Sequence, residues 1–290
     1  MNTLLNLWRL MRPHQWLKNS FVFTGLLFGH AWHNAHLLVQ VILAAGAFSL
    51  MSSAVYIVND MVDCEQDRLH PVKCLRPLAA NQLGMATAGL FALLLAWCAL
   101  WLAGWVGRAV LLIVVLYAVM NLAYSLRLKH VVILDVFIIA AGFMLRILAG
   151  TLGVGIPPSQ WLLLCGLMIT LFLGFAKRRA EIIELTASKT AHRRVLAQYS
   201  PVLLDKMIGI TAAGVIMSYS LYTMSADTVR THGTTNLIYT VPFVMYGVFR
   251  YIYLLHQQRG GGDPSRDVVR DPHLLGVVIL WGCATFWLIH

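Results

Sequence analysis

The chain has 290 residues, of which 59% are hydrophobic and 12% charged, and it carries a formal net charge of +10 at pH 7. A soluble domain is about 25% charged, so this chain has too little polar surface to cover a globule, and a soluble monomer is excluded. At roughly 20 residues per membrane-spanning helix, the apolar residues suffice for eight or nine spans.

Residues 1–16 are basic and polar with no apolar core, so no cleavable signal peptide is expected. Apolar runs then predict spanning helices at 17–32, 36–58, 85–105, 109–126, 132–151, 160–179, 205–225, 237–256 and 273–289. The first is short and interrupted by polar residues. The expected fold is an all-α membrane bundle of about nine helices, forming one polytopic domain over 1–290.

Basic residues orient it. With nine spans and the N-terminus in the cytoplasm, 19 of the 22 Lys and Arg fall on the cytoplasmic face; Arg108 and Arg230 fall outside and Arg146 lies within a span. Eight spans would put Arg9 and Arg12 outside, against the positive-inside rule. Eleven of the 12 acids crowd the same cytoplasmic ends, Asp227 being the exception. Acids contribute little to orientation, so the clustering points to a site for a charged soluble substrate, built by loops 59–84 and 177–204. The five cysteines contain no CxxC pair and are expected to be free thiols without a chemical role. Gly260-Gly261-Gly262 is the one flexible-linker signal.

The strongest candidate for chemistry is Asn59-Asp60-x-x-Asp63-x-x-x-Asp67, at the end of the second predicted span. On a helix, positions i, i+3 and i+7 share one face. Stacked carboxylates repel unless a cation lies between them, and Mg2+ is usually held by one or two carboxylates plus substrate phosphates. The plainer alternative is a solvated acidic face. Arg68, Lys73 and Arg76 follow directly; cations beside a metal–carboxylate cluster suit a diphosphate, although basic loops also bind lipid head groups. Lys177, Glu181 and Glu184 share a face at the end of the sixth span, with Arg178 about 100° away; i,i+4 ion pairing alone could account for them. Tyr124 and Lys129 close the fourth span. Arg146, mid-span, should face the bundle interior and either an anion or a backbone carbonyl.

Other patterns carry less. His30, His33 and His36 lie in an outward loop with no acid or cysteine nearby. The glycines at 150, 153 and 155 follow no strand, so no dinucleotide motif results. No Walker A sequence, nucleophile elbow or HExxH occurs.

Asn59-Asp60-x-x-Asp63-x-x-x-Asp67 in a nine-span bundle resembles the UbiA superfamily of intramembrane prenyltransferases. Arg12-Pro13-His14-Gln15-Trp16-Leu17-Lys18-Asn19 looks like the opening of its decaprenyl-phosphate phosphoribosyltransferase branch. So do Asp67 to Lys73 with Arg76-Pro77, Leu134-Asp135-Val136 leading to Gly142-Phe143-x-Leu145-Arg146, Lys177 to Glu181, and Asp271-Pro272-His273-Leu274. The resemblance runs from residue 12 to 274. Aromatic prenyltransferases of the superfamily carry a second DxxxD near the sixth span, whereas this chain has Lys177-x-x-x-Glu181.

The resemblance implies a bacterial inner-membrane enzyme that uses Mg2+ and moves a 5-phosphoribosyl group from phosphoribosyl diphosphate to a polyprenyl phosphate, for cell-envelope precursors. Asp60, Asp63 and Asp67 are expected at the metal–diphosphate site with Asn59 orienting it, and Lys73 and Arg76 on diphosphate oxygens. Lys177 and Arg178 are candidates for the donor's 5-phosphate and Glu181 for a ribose hydroxyl. Lys18, Lys129 and Arg146 are candidates for the acceptor phosphate, and Tyr124 for substrate contact. Membrane lipids are expected partners and nucleic acid is not; homo-oligomerisation is left open. The alternatives are an aromatic prenyltransferase and a polytopic transporter or lipid-binding protein. One-sided charge, and the want of paired broken helices at mid-membrane, weigh against the latter.

Overall fold

A computed structural model describes residues 3–69, 72–188, 198–257 and 264–289, the side chains of 184–188 and 264–266 excepted. Among the described residues there is no strand. Eight long helices carry the fold: α1 (Ala35–Val62), α2 (Met85–Val106), α3 (Arg108–Leu126), α4 (Leu134–Ala149), α5 (Gln160–Ser188), α6 (Pro201–Met224), α7 (Val241–His256) and α8 (Pro272–Ile289). Each lies in a stretch long and apolar enough to cross a membrane. Most begin and end close to the apolar runs of the sequence.

The first expected span differs. Residues Pro13–Phe23 form a 3-10 helix, followed by a short α-helix, Thr24–Phe28. A short helix, Thr3–Met11, precedes them. Pro13 disfavours the right-handed helical region for the residue before it, and Arg12 instead takes left-handed φ 52°, ψ 60°. The segment's polar groups then bond sideways: Trp16 Nε1 donates to Ser53 Oγ at 3.0 Å and Asn19 Nδ2 to Ser49 Oγ at 2.9 Å. Regular spanning helices therefore number eight among the described residues, against the nine expected.

The chain folds as two compact units. Unit 1 is Met1–Lys129 with Gly142–Pro158; unit 2 is His130–Ala141 with Ser159–His290. In unit 1, α1 is the central helix. Its small residues Ala44, Ala47 and Ser53 are wholly buried, as are Ala99 and Ala103 of α2, and small residues let helix backbones approach closely where lipid supplies no hydrophobic drive. The opposite face of α2 leaves Trp97, Trp101 and Trp105 exposed. Asn34 starts α1 by accepting from the N–H groups of His36 and Leu37. Gly25 and Gly150 permit a backbone-to-backbone crossing: a Cβ on Gly150 would stand 1.6 Å from the Val22 carbonyl oxygen, and one on Gly25 would stand 2.1 Å from that of Gly150.

In unit 2, Phe172, Phe175 and Ala176 of α5 pack with Leu204, Ile208 and Ala212 of α6 and with Val248 and Leu255 of α7. Val136 and Ala140, from the first half of α4, join the same core. Ser200 and Pro201 open α6, with the Ser200 hydroxyl accepting from the Leu203 N–H at 3.1 Å. Asp271 and Pro272 open α8 in the same way, Asp271 Oδ1 accepting from the Leu274 N–H at 2.9 Å.

Candidate functional site

In unit 1 the acidic motif forms where α1 gives way to a short helix, Cys64–Arg68. Asp63 joins the two; its N–H bonds to the Asn59 carbonyl, and the Asp67 N–H to that of Asp63, both at 2.9 Å. The helical path is nearly continuous, so the i, i+3, i+7 spacing survives and Asp60, Asp63 and Asp67 are all buried. Each is turned to a basic side chain. Arg76 Nη1 donates to Asp60 Oδ1 at 3.0 Å and to Asp67 Oδ2 at 2.5 Å. Lys129 Nζ donates to Asp63 Oδ1 at 2.6 Å, and Asn59 Nδ2 to Asp63 Oδ2 at 3.2 Å. Arg12 pairs with Asp60 and lies over the Tyr56 ring.

Three carboxylates thus meet three cations in a site mostly withdrawn from solvent. They do not converge on one point: among the described residues no three acids, histidines or cysteines are placed to share a metal ion. Like charges repel unless a cation lies between them, and here Arg76 lies between Asp60 and Asp67 while Lys129 takes Asp63. Arg76 is set by extended backbone, φ −65° and ψ 145°, ahead of the buried run Pro77, Leu78 and Ala79.

Sequence reasoning expected Asn59, the three aspartates, Arg76 and Lys129 in functional roles, and the fold brings all six together. It did not single out Arg12, although the residue stands in the Arg12-Pro13 motif; what places its guanidinium is a backbone conformation that composition does not report. Lys73 and Tyr124 are half-buried and Lys18 is exposed. Arg146 has a separate set of partners in the same unit. It is 4% exposed, and its Nε donates to Asn19 Oδ1 at 2.7 Å, Nη1 to the Gly142 carbonyl at 2.8 Å and Nη2 to the Tyr117 hydroxyl at 3.0 Å. Phe48, Tyr117 and Phe143 surround its guanidinium with ring faces. Neutral acceptors and π-faces hold this buried cation, and no acid pairs with it among the described residues.

Unit 2 has its own charged cluster. Arg178, near the end of α5, donates from Nε to Asp135 Oδ2 at 2.8 Å and from Nη1 to Glu181 Oε2 at 2.5 Å. Asp135 is completely buried at the start of α4. Its Oδ1 accepts from the Tyr199 hydroxyl at 2.7 Å, and the Tyr199 oxygen in turn accepts from the Ile133 N–H at 2.6 Å. Burial, and then the bond to Asp135, push the Tyr199 hydroxyl well above its ordinary pKa, so it remains a donor. Ile133 stands at φ 69°, where a β-branched residue is strained. Behind this group, Arg179 Nε donates to Asp205 at 2.5 Å and Nη1 to the Leu255 carbonyl at 3.1 Å. Lys177 is exposed.

Of the expected residues, Arg178 and Glu181 are therefore bonded to each other, while Asp135 and Tyr199, which complete this cluster of unit 2, were not among the candidates. An acid one residue into an apolar helix was the available signal for Asp135. The Glu184 side chain, residues 70–71 of loop 59–84, 189–197 of loop 177–204, and the run Gly260–Gly262 lie outside what the structure describes.

Residues 19–267 match the UbiA prenyltransferase family. The chain is 34% identical over 278 residues to a decaprenyl-phosphate phosphoribosyltransferase of Corynebacterium glutamicum, covering 93% of this chain and 82% of that one. It is 31% identical over 277 residues to the Mycobacterium tuberculosis protein of the same name, covering 93% and 90%. Among solved structures, a UbiA homologue from Archaeoglobus fulgidus bound to DMAPP and Mg2+ is similar at a TM-score of 0.73 and 16% identity, over 98% of this chain and 99% of that one. At that identity the likeness is one of fold. The apolar helices and this kinship make the chain a multi-pass integral membrane protein.

Proposed function

The chain belongs to the UbiA prenyltransferase family, and from that premise we propose that it is a transferase moving a 5-phosphoribosyl group from phosphoribosyl diphosphate to a polyprenyl phosphate. What carries the reading is 34% and 31% identity to two proteins of that name, each aligned over 93% of the chain. Charge chemistry agrees with it. The acceptor phosphate is already ionised near neutral pH, so one of its oxygens can attack C1 of the ribose while the C1–O bond to diphosphate breaks, and no general base is required. The protein's work is then to orient the donor and to hold the departing negative charge.

Arg12, Arg76 and Lys73 are the donors we assign to diphosphate oxygens, Arg as a planar fork and Lys as a point charge. Mg2+ fits the residues present, because Asp60, Asp63 and Asp67 offer the hard oxygens it takes. With no three ligands convergent among the described residues, one or two of these carboxylates would hold it. Bound there, it supplies neutralisation of the leaving diphosphate. Asn59 orients Asp63. Lys129 and Lys18 are assigned to the acceptor phosphate, with Tyr124 as a substrate contact; Arg146, already bonded to Asn19, Gly142 and Tyr117, is left to hold the helices of unit 1. Lys177 is the candidate for the donor's 5-phosphate and Glu181 for a ribose hydroxyl; Arg178, already engaged with Asp135 and Glu181, backs Glu181.

We further propose that the chain, as one transmembrane domain in a bacterial inner membrane, crosses nine times with its N-terminus and charged clusters on the cytoplasmic side. The basic residues favour that count. Eleven 3-10 residues and five α-helical ones also give the irregular first segment a path of roughly 30 Å, enough to traverse the hydrocarbon.

Purified protein in detergent with Mg2+ would be offered labelled phosphoribosyl diphosphate and a polyprenyl phosphate, and separately a labelled prenyl diphosphate and 4-hydroxybenzoate. Label entering the lipid-phosphate product in the first mixture is the expected result. Product in the second mixture alone would overturn the proposal.

A further inference from the structure

Three buried or half-buried side chains in unit 2 share two charged hydrogen bonds, and their exposures differ in an informative way. Asp135 is 0% exposed and Arg178 3%, whereas the Glu181 side chain is 29% exposed. Asp135 spends one oxygen on Arg178 and the other on Tyr199. Its negative charge therefore cancels the guanidinium from behind. The third member is the only one that meets solvent, and a carboxylate is a pure hydrogen-bond acceptor. Such a group takes hydroxyl donors and disfavours phosphate.

We infer that Asp135 is a positioning residue: with Tyr199 it fixes and neutralises Arg178, so that Glu181 is aimed at a sugar hydroxyl instead of Arg178 at a phosphate. The inference rests on the proposed function and deepens it, giving the donor's ribose a reader. The construction is held at some cost. Ile133 is kept at φ 69°, a conformation unfavourable for a β-branched side chain. Its N–H is the group that bonds the Tyr199 hydroxyl. Tyr199 lies one residue before the Ser200 cap of α6, so the start of α4, the end of α5 and the entry to α6 meet on one carboxylate.

Asp135→Asn keeps the shape and removes the charge. In the full-length protein in detergent, kcat and KM for phosphoribosyl diphosphate would be measured together with inhibition by ribose 5-phosphate and by inorganic diphosphate. KM and the inhibition constant of ribose 5-phosphate should each rise about tenfold, the loss of one charge-assisted hydrogen bond. The constant for diphosphate should stay within about twofold. Tyr199→Phe, which removes one bond and leaves the Arg178 pair, should give about a two- to threefold rise in the same two quantities, and it carries the test if Asp135→Asn does not fold. An unchanged ribose 5-phosphate constant in both variants overturns the inference. So does parallel weakening of both inhibitors, the sign of general damage. Wild-type protein that transfers nothing from phosphoribosyl diphosphate sinks the proposed function, and with it this inference. Wild-type transfer with variants indifferent to ribose 5-phosphate sinks the inference alone.

Discussion

Lys129 and Asp63 form a contact across 66 positions of sequence, 2.6 Å long, with both side chains largely buried. Breaking such a pair by removing one partner strands a charge in a poorly solvated place and costs about 3–5 kcal/mol. Lys129→Met should accordingly lower the thermal midpoint sharply in detergent, and adding Asp63→Asn should recover much of the loss. A double variant no more stable than Lys129→Met would show that the pair does not carry the energy. Asp63→Asn by itself strands Lys129 and should lower the midpoint as well, while an assay of the protein still folded at low temperature should show transfer abolished. Asp271 offers a contrasting case outside the hydrocarbon. Arg250 bonds both of its oxygens, at 3.1 and 2.7 Å, and these bonds, aided by the Leu274 N–H, hold its pKa below the usual carboxylate value. The sign follows from linkage: a depressed folded pKa gives stability that is full above the unfolded value of about 3.9 and lost as pH falls through the folded one. Asparagine is as good an N-cap as aspartate, so Asp271→Asn isolates the charge. It should be less stable than wild type at pH 7, and a melting series towards acid should show the gap closing below about pH 4.

At the scale of elements, the eight long helices were legible because apolar composition and length are what a bilayer selects. The run 85–105 became Met85–Val106, and 273–289 became Pro272–Ile289. Hydropathy weighs composition and is blind to backbone geometry, so it could not tell that 17–32 would be reached through an 11-residue 3-10 run. Such runs seldom exceed three or four residues. Pro13 and the polar residues up to Ser20 were the only hint. This one depends on tertiary contact, above all the crossing at Gly25 and Gly150. Gly150→Ala should therefore be destabilising at or beyond the roughly 1–3 kcal/mol typical of overpacked sites, because its Cβ would meet the Val22 carbonyl at 1.6 Å. Gly104→Ala, also an added methyl but with nothing within 4 Å, should be neutral or stabilising by about 0.5–1 kcal/mol. Comparison of the two melting curves checks the crossing, and equal effects would argue against it.

For the molecule as a whole, the sequence carried the acids of the site better than their partners. Asp60, Asp63 and Asp67 could be grouped because one helical face unites positions three and four apart. That Asp63 would find Lys129, or Asp135 find Arg178 and Tyr199, depends on segments distant in sequence coming together, and no local pattern encodes it. The excess of positive charge was readable as topology, yet in unit 1 the cluster itself is balanced, three carboxylates against Arg12, Arg76 and Lys129. This chain therefore does not keep a bare basic patch at its acidic motif. It keeps a self-neutralised one, whose guanidinium and ammonium groups already have oxygens to exchange.

The order in which the two units take up the chain also bears on how the protein can be made. Unit 1 is interrupted by His130–Ala141, which belong to unit 2, and resumes at Gly142–Pro158. A ribosome releasing the polypeptide from its N-terminus delivers the first piece of the second unit before the first unit is finished. Arg146 arrives after that interruption, long after Asn19 and after Tyr117, the two side chains that receive its bonds. No single cleavage point separates the units, since a fragment ending at residue 129 lacks its guanidinium and the remainder carries an arginine with neither recipient. Split or permuted versions of the chain must respect that interleaving, with both α4 halves supplied together.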